Sequence, residues 1–278
     1  ALLADIPGDS KDNTVLVSHI GNIYFATGMR LSEGEFAVLQ QQYQPQLSDT
    51  AAGEQAALAR LEYFIWQGRH ILHYKHSRNQ LSGSDYASFC SAPLASGGLS
   101  VRWLWQQIVQ FETQLAANES TYWLKFELLW REFFRWQFRK YANLWFSKDA
   151  IKGRADFSQP QLSKAQLKQF NLWCQGNTGE PFIDANMQLL NQTGLMSNRG
   201  RQNVASFLIH DLAIDWRLGA AYFEQRLLDY DCASNWGNWA YIAGSGNSSG
   251  RRFNVQKQAQ IYDADGSFVR AMLKSSAR

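Results

Sequence analysis

The stretch Tyr122-Trp-Leu-Lys-Phe-Glu-Leu-Leu-Trp130-Arg-Glu-Phe-Phe-Arg135 decides the fold class. Its apolar and aromatic residues recur every three to four positions with no period of two, which predicts a helix from about Thr121 to Phe146. The same period continues outward on both sides. Ala56 to Trp66 is rich in helix formers, and Leu99 to Ala116 repeats the pattern behind Ser100, a suitable N-cap. Further helices are predicted at 163–174, 184–193, 198–213 and 217–228, divided by glycine-bearing turns at Gly176–Gly179 and Thr193-Gly194. Alternating strand patterns are nearly absent after residue 50, so the class is all-α, with one helical unit over 51–278. Residues 1–50 read as an N-terminal extension or linker. Within them, Val15-Leu-Val and Ile23-Tyr-Phe suggest short extended pieces, and Leu31 to Gln44 a helix capped by Ser32.

Of 278 residues, 45% are hydrophobic and 18% charged, enough apolar surface for a sizeable core. The formal net charge of +3 permits an anionic partner such as nucleic acid without requiring one. Eleven Trp, 11 Tyr and 17 Phe are more rings than packing alone calls for, and they point to a flat conjugated ligand or an electron-transfer role. No uninterrupted apolar run is long enough to span a bilayer, and the first residues lack the basic region and cleavage site of a secretory signal. Cys90, Cys174 and Cys232 form no CxxC pair. They read as small buried hydrophobes in a reducing cytoplasm.

Five motifs bear on chemistry. His70, His73 and His76 drift around a helix axis and do not converge on a metal, so no metal is expected. Gly244-Ser-Gly-Asn-Ser-Ser-Gly250 fails as a phosphate loop, because its last glycine is one residue late and no Lys-Ser/Thr follows. It reads as a flexible surface loop leading into Arg251 and Arg252. Glu127, Trp130, Arg131 and Phe134 share one helical stripe, which is open to two readings: an ordinary Glu127–Arg131 ion pair over a core-facing Trp and Phe, or a polar site. Met196-Ser-Asn-Arg-Gly-Arg-Gln-Asn203 places arginines and Asn at the start of an apolar helix, where an anion or a polar heterocycle would fit. Asp229-Tyr-Asp231 followed by Asn235, Trp236, Asn238 and Trp239 lacks the spacing of a calcium loop.

Together these stretches resemble the FAD-binding domain of the photolyase/cryptochrome family, and most of all its DASH-type cryptochromes. The resemblance spans about Gly53 to Val269. It rests on Ala56-Ala-Leu-Ala-Arg-Leu, the Tyr122–Arg135 stretch, Asp184-Ala-Asn-Met, Met196 to Phe207, Ile214-Asp-Trp-Arg, and Leu228 to Trp239.

The resemblance implies an all-helical domain around a U-shaped FAD, with a substrate hole over the flavin. Asn198 and Arg201 match positions beside the isoalloxazine and its carboxylate partner, Asp229 and Asp231 those at the ring edge and adenine side, and Asn235 the residue facing flavin N5. Tyr74 and Ser91 match positions near the phosphates and ribityl chain, and Arg131 a phosphate-side arginine. Repair of cyclobutane pyrimidine dimers in DNA, a carbon–carbon lyase reaction driven by blue light, is the activity this implies. Glu127 matches the carboxyl that hydrogen-bonds the flipped dimer, and Trp130 and Tyr241 match its aromatic walls. Arg199, Gln202, Arg251 and Arg252 are the expected DNA contacts, with damaged or single-stranded DNA as partner. The alternative is a non-enzymatic FAD-binding photoreceptor or DNA-binding regulator of cryptochrome type. Three departures qualify the match. The antenna domain is not represented, so no antenna chromophore is expected; Ala87 replaces a hydroxyl residue near the phosphates; and Ser163 stands at the outer position of a tryptophan relay. Trp239 and Trp216 match the inner relay members, and Trp173 is a possible stand-in at the exit.

Overall fold

The computed structural model describes residues 53–275, which form helices and turns with no strand among the described residues. The extended pieces and the helix expected within residues 1–50 lie outside the described residues. The chain opens with α1 (Glu54–Glu62), which widens into a π-turn at Tyr63–Gln67. A 3-10 turn (His70–His73), the single-turn α2 (Tyr74–Ser77) and α3 (Ser91–Ser96) lead to α4 (Val101–Gln114) and α5 (Glu119–Tyr141). The remainder is α6 (Lys164–Gln175), α7 (Pro181–Thr193), α8 (Asn198–Ser206), α9 (Trp216–Arg226), α10 (Cys232–Ala243), α11 (Val255–Tyr262) and α12 (Ser267–Ser275).

Side-chain caps fix many of the boundaries. Ser100 accepts from the Trp103 amide, as its position before α4 predicts. α5 starts before Thr121, because Asn118 accepts from the Ser120 and Thr121 amides at 2.8 and 3.0 Å while Thr121 Oγ1 accepts from the Asn118 amide. It ends at Tyr141 rather than Phe146, since Ala142 takes φ 47° and the chain tightens into a 3-10 turn. Ser163 closes a reciprocal cap with Gln166 and so starts α6. Asp231 accepts from the Ser234 amide and starts α10 in a stretch whose polar residues concealed a helix. The Gly244–Gly250 segment is folded back rather than a loose loop. Gly244, at φ 83°, turns the chain so that the Ser245 and Gly246 amides both donate to the Ala240 carbonyl.

Burial divides into two clusters. The smaller one joins Leu61, Phe64 and Ile65 of the first segment to Leu104, Ile108 and Phe111 of α4 and Leu124 and Leu128 of α5. The larger one is built on α7 to α10, with Trp173, Phe182, Met187, Val204, Phe223, Trp236 and Trp239 inside it. Helix α5 serves both, because Phe138 and Tyr141 near its far end pack on the larger cluster. Between the clusters lies a cavity of about 500 Å³.

Candidate functional site

The cavity is walled on one side by Tyr74, Arg78 and residues 86–91, along its length by α5, and on the other side by α8 to α10. The 86–91 wall is held from α1, where Arg60 donates to the Ser84, Ala87 and Ser88 carbonyls at 2.6, 2.9 and 3.0 Å. Phe89 in this wall takes φ 55°. Cys90, buried there, has its thiol pushed up to about 11 by desolvation, which makes it an inert lining group.

Helix α5 contributes Trp123, Phe126, Glu127, Trp130, Arg131 and Phe134, one stripe at helical spacing. The Glu127–Arg131 ion pair open at the sequence level does not form. Arg131 instead donates to Glu132 and to the Leu94 carbonyl at 3.1 Å, and Glu127 Oε1 receives Trp123 Nε1 at 3.0 Å and the guanidinium of Arg78. Arg78 also lies over the Trp123 ring, 5.1 Å from its centroid. Desolvation, with the nearby charge of Arg199, lowers the Arg78 guanidinium from its ordinary range. Trp130 meets Tyr241 edge-to-face at 6.3 Å between centroids, forming an aromatic corner next to Glu127.

On the opposite wall, Arg201 Nη2 donates to both oxygens of Asp229 at 2.9 Å, and its Nε donates to the Met196 carbonyl at 2.9 Å. Asp231 Oδ1 is taken up by Ser234, while Asn235 Nδ2 donates to the Ala220 carbonyl at 2.9 Å and thereby fixes its amide plane. Asn198, Gln202 and Trp239 complete this wall. Gly219 lets Trp239 approach α9, since a Cβ there would fall 2.3 Å from Trp239 Cη2.

One cavity therefore brings together Tyr74, Ser91, Glu127, Trp130, Arg131, Asn198, Arg201, Gln202, Asp229, Asp231, Asn235, Trp239 and Tyr241. The other expected residues lie elsewhere. Arg199 is committed to the fold, donating to Asn79 at 3.0 Å and lying 4.7 Å from the Tyr262 ring centroid. Arg252 pairs with Asp211 on the surface, and Arg251 sits over Tyr241 just outside the cavity. Trp216 donates to the Lys148 carbonyl from within the core. Trp173 corrects the expectation of an exit to solvent: it is fully buried, its ring 6.2 Å from Trp239. Sequence reasoning missed Arg78 and Arg60, whose partners are distant in the chain. His70 and His76 face Asp85 and Glu119, and no metal-ligand cluster exists among the described residues. No described helix is long and apolar enough to cross a membrane.

Comparison with known proteins agrees with this geometry. Residues 123–277 match the family described as the FAD binding domain of DNA photolyase. A cryptochrome DASH of Natronomonas pharaonis is 52% identical over 227 residues, covering 81% of this chain and 47% of that protein. The crystal structure of the Synechocystis cryptochrome superposes with a TM-score of 0.75 at 46% identity, over 83% of this chain and 47% of the other. A class III photolyase from Agrobacterium tumefaciens gives 0.72 at 31% identity, over 88% and 48%. The chain thus spans about half the length of the relatives it matches. It belongs to the photolyase/cryptochrome family, in the part that forms the FAD-binding domain.

The residues present fit that cofactor. A flat ring system needs apolar walls with polar groups at its edge, and the cavity offers Trp239, Phe223 and Met196 beside Arg201, Asp229 and Asn235. A diphosphate needs cations and hydroxyls, and Arg131 and Ser91 supply them on the facing wall.

Proposed function

From its membership of this family, we propose that the chain, with FAD in the central cavity, reverses cyclobutane pyrimidine dimers in DNA under blue light. The reading is carried by the corner where the Glu127 carboxylate stands between Trp130 and the Arg78 guanidinium at the cavity wall. The chemistry that bound FAD supplies is a light-driven electron to the dimer and its recovery after the ring opens. The chain's own residues do the rest. Trp130 and Tyr241 give the extruded bases two faces to pack on, and stacking of about 1–3 kcal/mol per base offsets an extrusion cost of a few kcal/mol. Glu127, one oxygen held by Trp123 and Arg78, offers its other oxygen to a base N–H. Arg201 and Asp229, which orient each other, would hold the isoalloxazine edge together with Asn198, and Asn235 would face N5. Asp231 would serve the adenine side, and Tyr74, Ser91 and Arg131 the phosphates and ribityl chain. The apolar walls keep water from the reacting bases. Gln202 in the cavity wall, Arg251 beside Tyr241 and the surface residue Arg252 would contact DNA, with Arg199 steadying the fold through Asn79 and Tyr262. Damaged or single-stranded DNA is the preferred form, since its bases cost least to extrude. Three free thiols suit a reducing compartment such as the cytoplasm.

Ser163 and Ala87 support a second reading, a non-enzymatic FAD-binding photoreceptor or DNA-binding regulator. Ser163 acts as a helix cap where a relay tryptophan would stand, and Ala87 in the cavity wall has no side-chain hydroxyl to offer the cofactor.

The test is to purify the chain with FAD, reduce it, and illuminate it with single- and double-stranded oligonucleotides carrying one thymine dimer. Light-dependent dimer loss is expected, faster on the single strand. Bound, reduced FAD without dimer loss would remove the repair reading and leave the photoreceptor.

A further inference from the structure

Five tryptophans of the larger cluster, Trp145, Trp173, Trp216, Trp236 and Trp239, are each at most 5% exposed. Trp239 lines the cavity, and Trp236 stands three residues before it on α10, at a neighbouring position of the helix surface. The Trp216 and Trp236 rings are 5.7 Å apart, edge-to-face. Their indole N–H groups have different partners. Trp173 donates to the Val204 carbonyl and Trp216 to the Lys148 carbonyl, groups that cannot accept a proton at any accessible pH. Trp236 Nε1 donates to Glu224 Oε2 at 3.0 Å. Glu224 is itself only 1% exposed, an acidic side chain inside the apolar cluster with no role in cap, ion pair or cavity.

We propose that Trp236 and Glu224 form a proton-coupled charge trap: an electron hole formed at Trp239 settles on Trp236, whose Nε1 proton passes to Glu224. The inference rests on FAD occupying the cavity as in the proposed function. With FAD bound, Trp239 would give one electron to the light-excited oxidised flavin and would be refilled by one electron from Trp236, three residues before it on the same helix. The resulting indole radical cation is a far stronger acid than neutral indole, and its proton crosses one hydrogen bond to the carboxylate. A neutral indolyl radical and a protonated Glu224 remain, and return of the electron reverses both transfers. Full burial of Trp236 keeps the hole from solvent reductants, so the device prolongs charge separation rather than exporting the charge.

Burial pushes the Glu224 carboxyl up to about 7, with the Trp236 and Tyr230 hydrogen bonds opposing the rise. The titratable groups facing it are Tyr230 and, beyond that phenol, Cys232 and Asp231 at the start of α10. The Tyr230 phenol and the Cys232 thiol are both raised by burial, so both stay protonated near neutrality. Glu224 is then the proton acceptor in this cluster, and only its ionised form can act. A carboxyl titrating near 7 is about 10% ionised at pH 6 and about 90% at pH 8, an increase of about tenfold.

Flash photolysis of the FAD-loaded chain, read by transient absorption and electron paramagnetic resonance, tests this without reference to repair. The deprotonated indolyl radical and the protonated radical cation have distinct visible bands. The deprotonated form should rise about tenfold between pH 6 and pH 8 in the wild-type chain. Glu224→Gln, which keeps the shape and an acceptor for Trp236, should lose that rise and recombine faster. Trp236→Phe should lose the deprotonated radical while retaining FAD. A pH profile unchanged in Glu224→Gln, or a long-lived deprotonated radical in Trp236→Phe, overturns the trap while the flavin reading stands. Protein that takes up no FAD overturns both, and Trp239→Phe, expected to abolish the hole at its origin, shows that the signal starts at the cavity wall.

Discussion

Replacing Arg201 by Met should be among the most damaging single changes at the cavity, and the size of the loss follows from its partners. Arg201 makes a forked contact with Asp229, at 2.9 Å to each oxygen, and a further hydrogen bond to the Met196 carbonyl. The Asp229 side chain is 5% exposed and that of Arg201 is 29% exposed. Removing the guanidinium strands a buried carboxylate, a change that costs 3–5 kcal/mol when both partners are fully buried. Partial exposure of the arginine brings the expectation to about 3 kcal/mol in Arg201→Met, or a Tm lower by roughly 6–12 °C for a domain of this size. Thermal unfolding followed by circular dichroism, with and without FAD, measures it, and the loss should be greater with FAD because a variant that binds FAD less tightly gains less stability from it. The double variant Arg201→Met with Asp229→Asn removes the stranded charge as well and should recover about 1–2 kcal/mol over Arg201→Met alone. A Tm within about 2 °C of wild type, or a double variant showing the plain sum of two losses, would refute the argument.

Three further outcomes follow from the same geometry. Glu127→Gln should weaken dimer-specific binding about ten- to hundredfold, the worth of one charge-assisted hydrogen bond, and leave flavin content unchanged in a gel-shift and absorbance comparison. Gly219→Ala drives a Cβ to 2.3 Å from Trp239 Cη2 and 2.6 Å from Leu208 Cδ2, so it should cost about 1–3 kcal/mol by thermal unfolding despite the better helix former, and alter flavin fluorescence quenching. Glu224 makes stability depend on pH: the folded chain retains above pH 4.5 a proton that the unfolded chain releases, so its contribution is complete below 4.5 and is lost as pH rises through about 7. Relative to Glu224→Gln, the wild type should therefore lose about 3 kcal/mol between those limits, read from urea unfolding at a series of pH values.

Local information made much of the fold legible. The spacing along Tyr122–Arg135 marks α5, Ser100 marks the start of α4, and Gly176 and Gly194 mark the ends of α6 and α7. Helix α10 was hidden because its polar cap Asp231, its Gly237 and its closely spaced asparagines dilute the apolar period, although Trp236 and Trp239 both turn inward. The candidate site was legible as residue types but not as partners. Glu127 and Arg131 are ideally spaced for each other, yet Arg78, 49 residues away, takes the carboxylate. Arg60 similarly looks like an ordinary helix residue until the wall at Ser84–Ser88 folds over it. Helical spacing expresses contacts within one element, and contacts between elements have no such trace.

The most direct measurement of the central claim is an action spectrum of dimer loss by the purified, FAD-loaded and reduced chain acting on a single-stranded oligonucleotide. Repair confined to the near-ultraviolet and blue, tracking the absorption of the bound reduced flavin and absent in the dark, is the result expected if the central cavity sets cofactor and dimer side by side. Dimer loss that proceeds in darkness, or that ignores the flavin spectrum, would contradict the account.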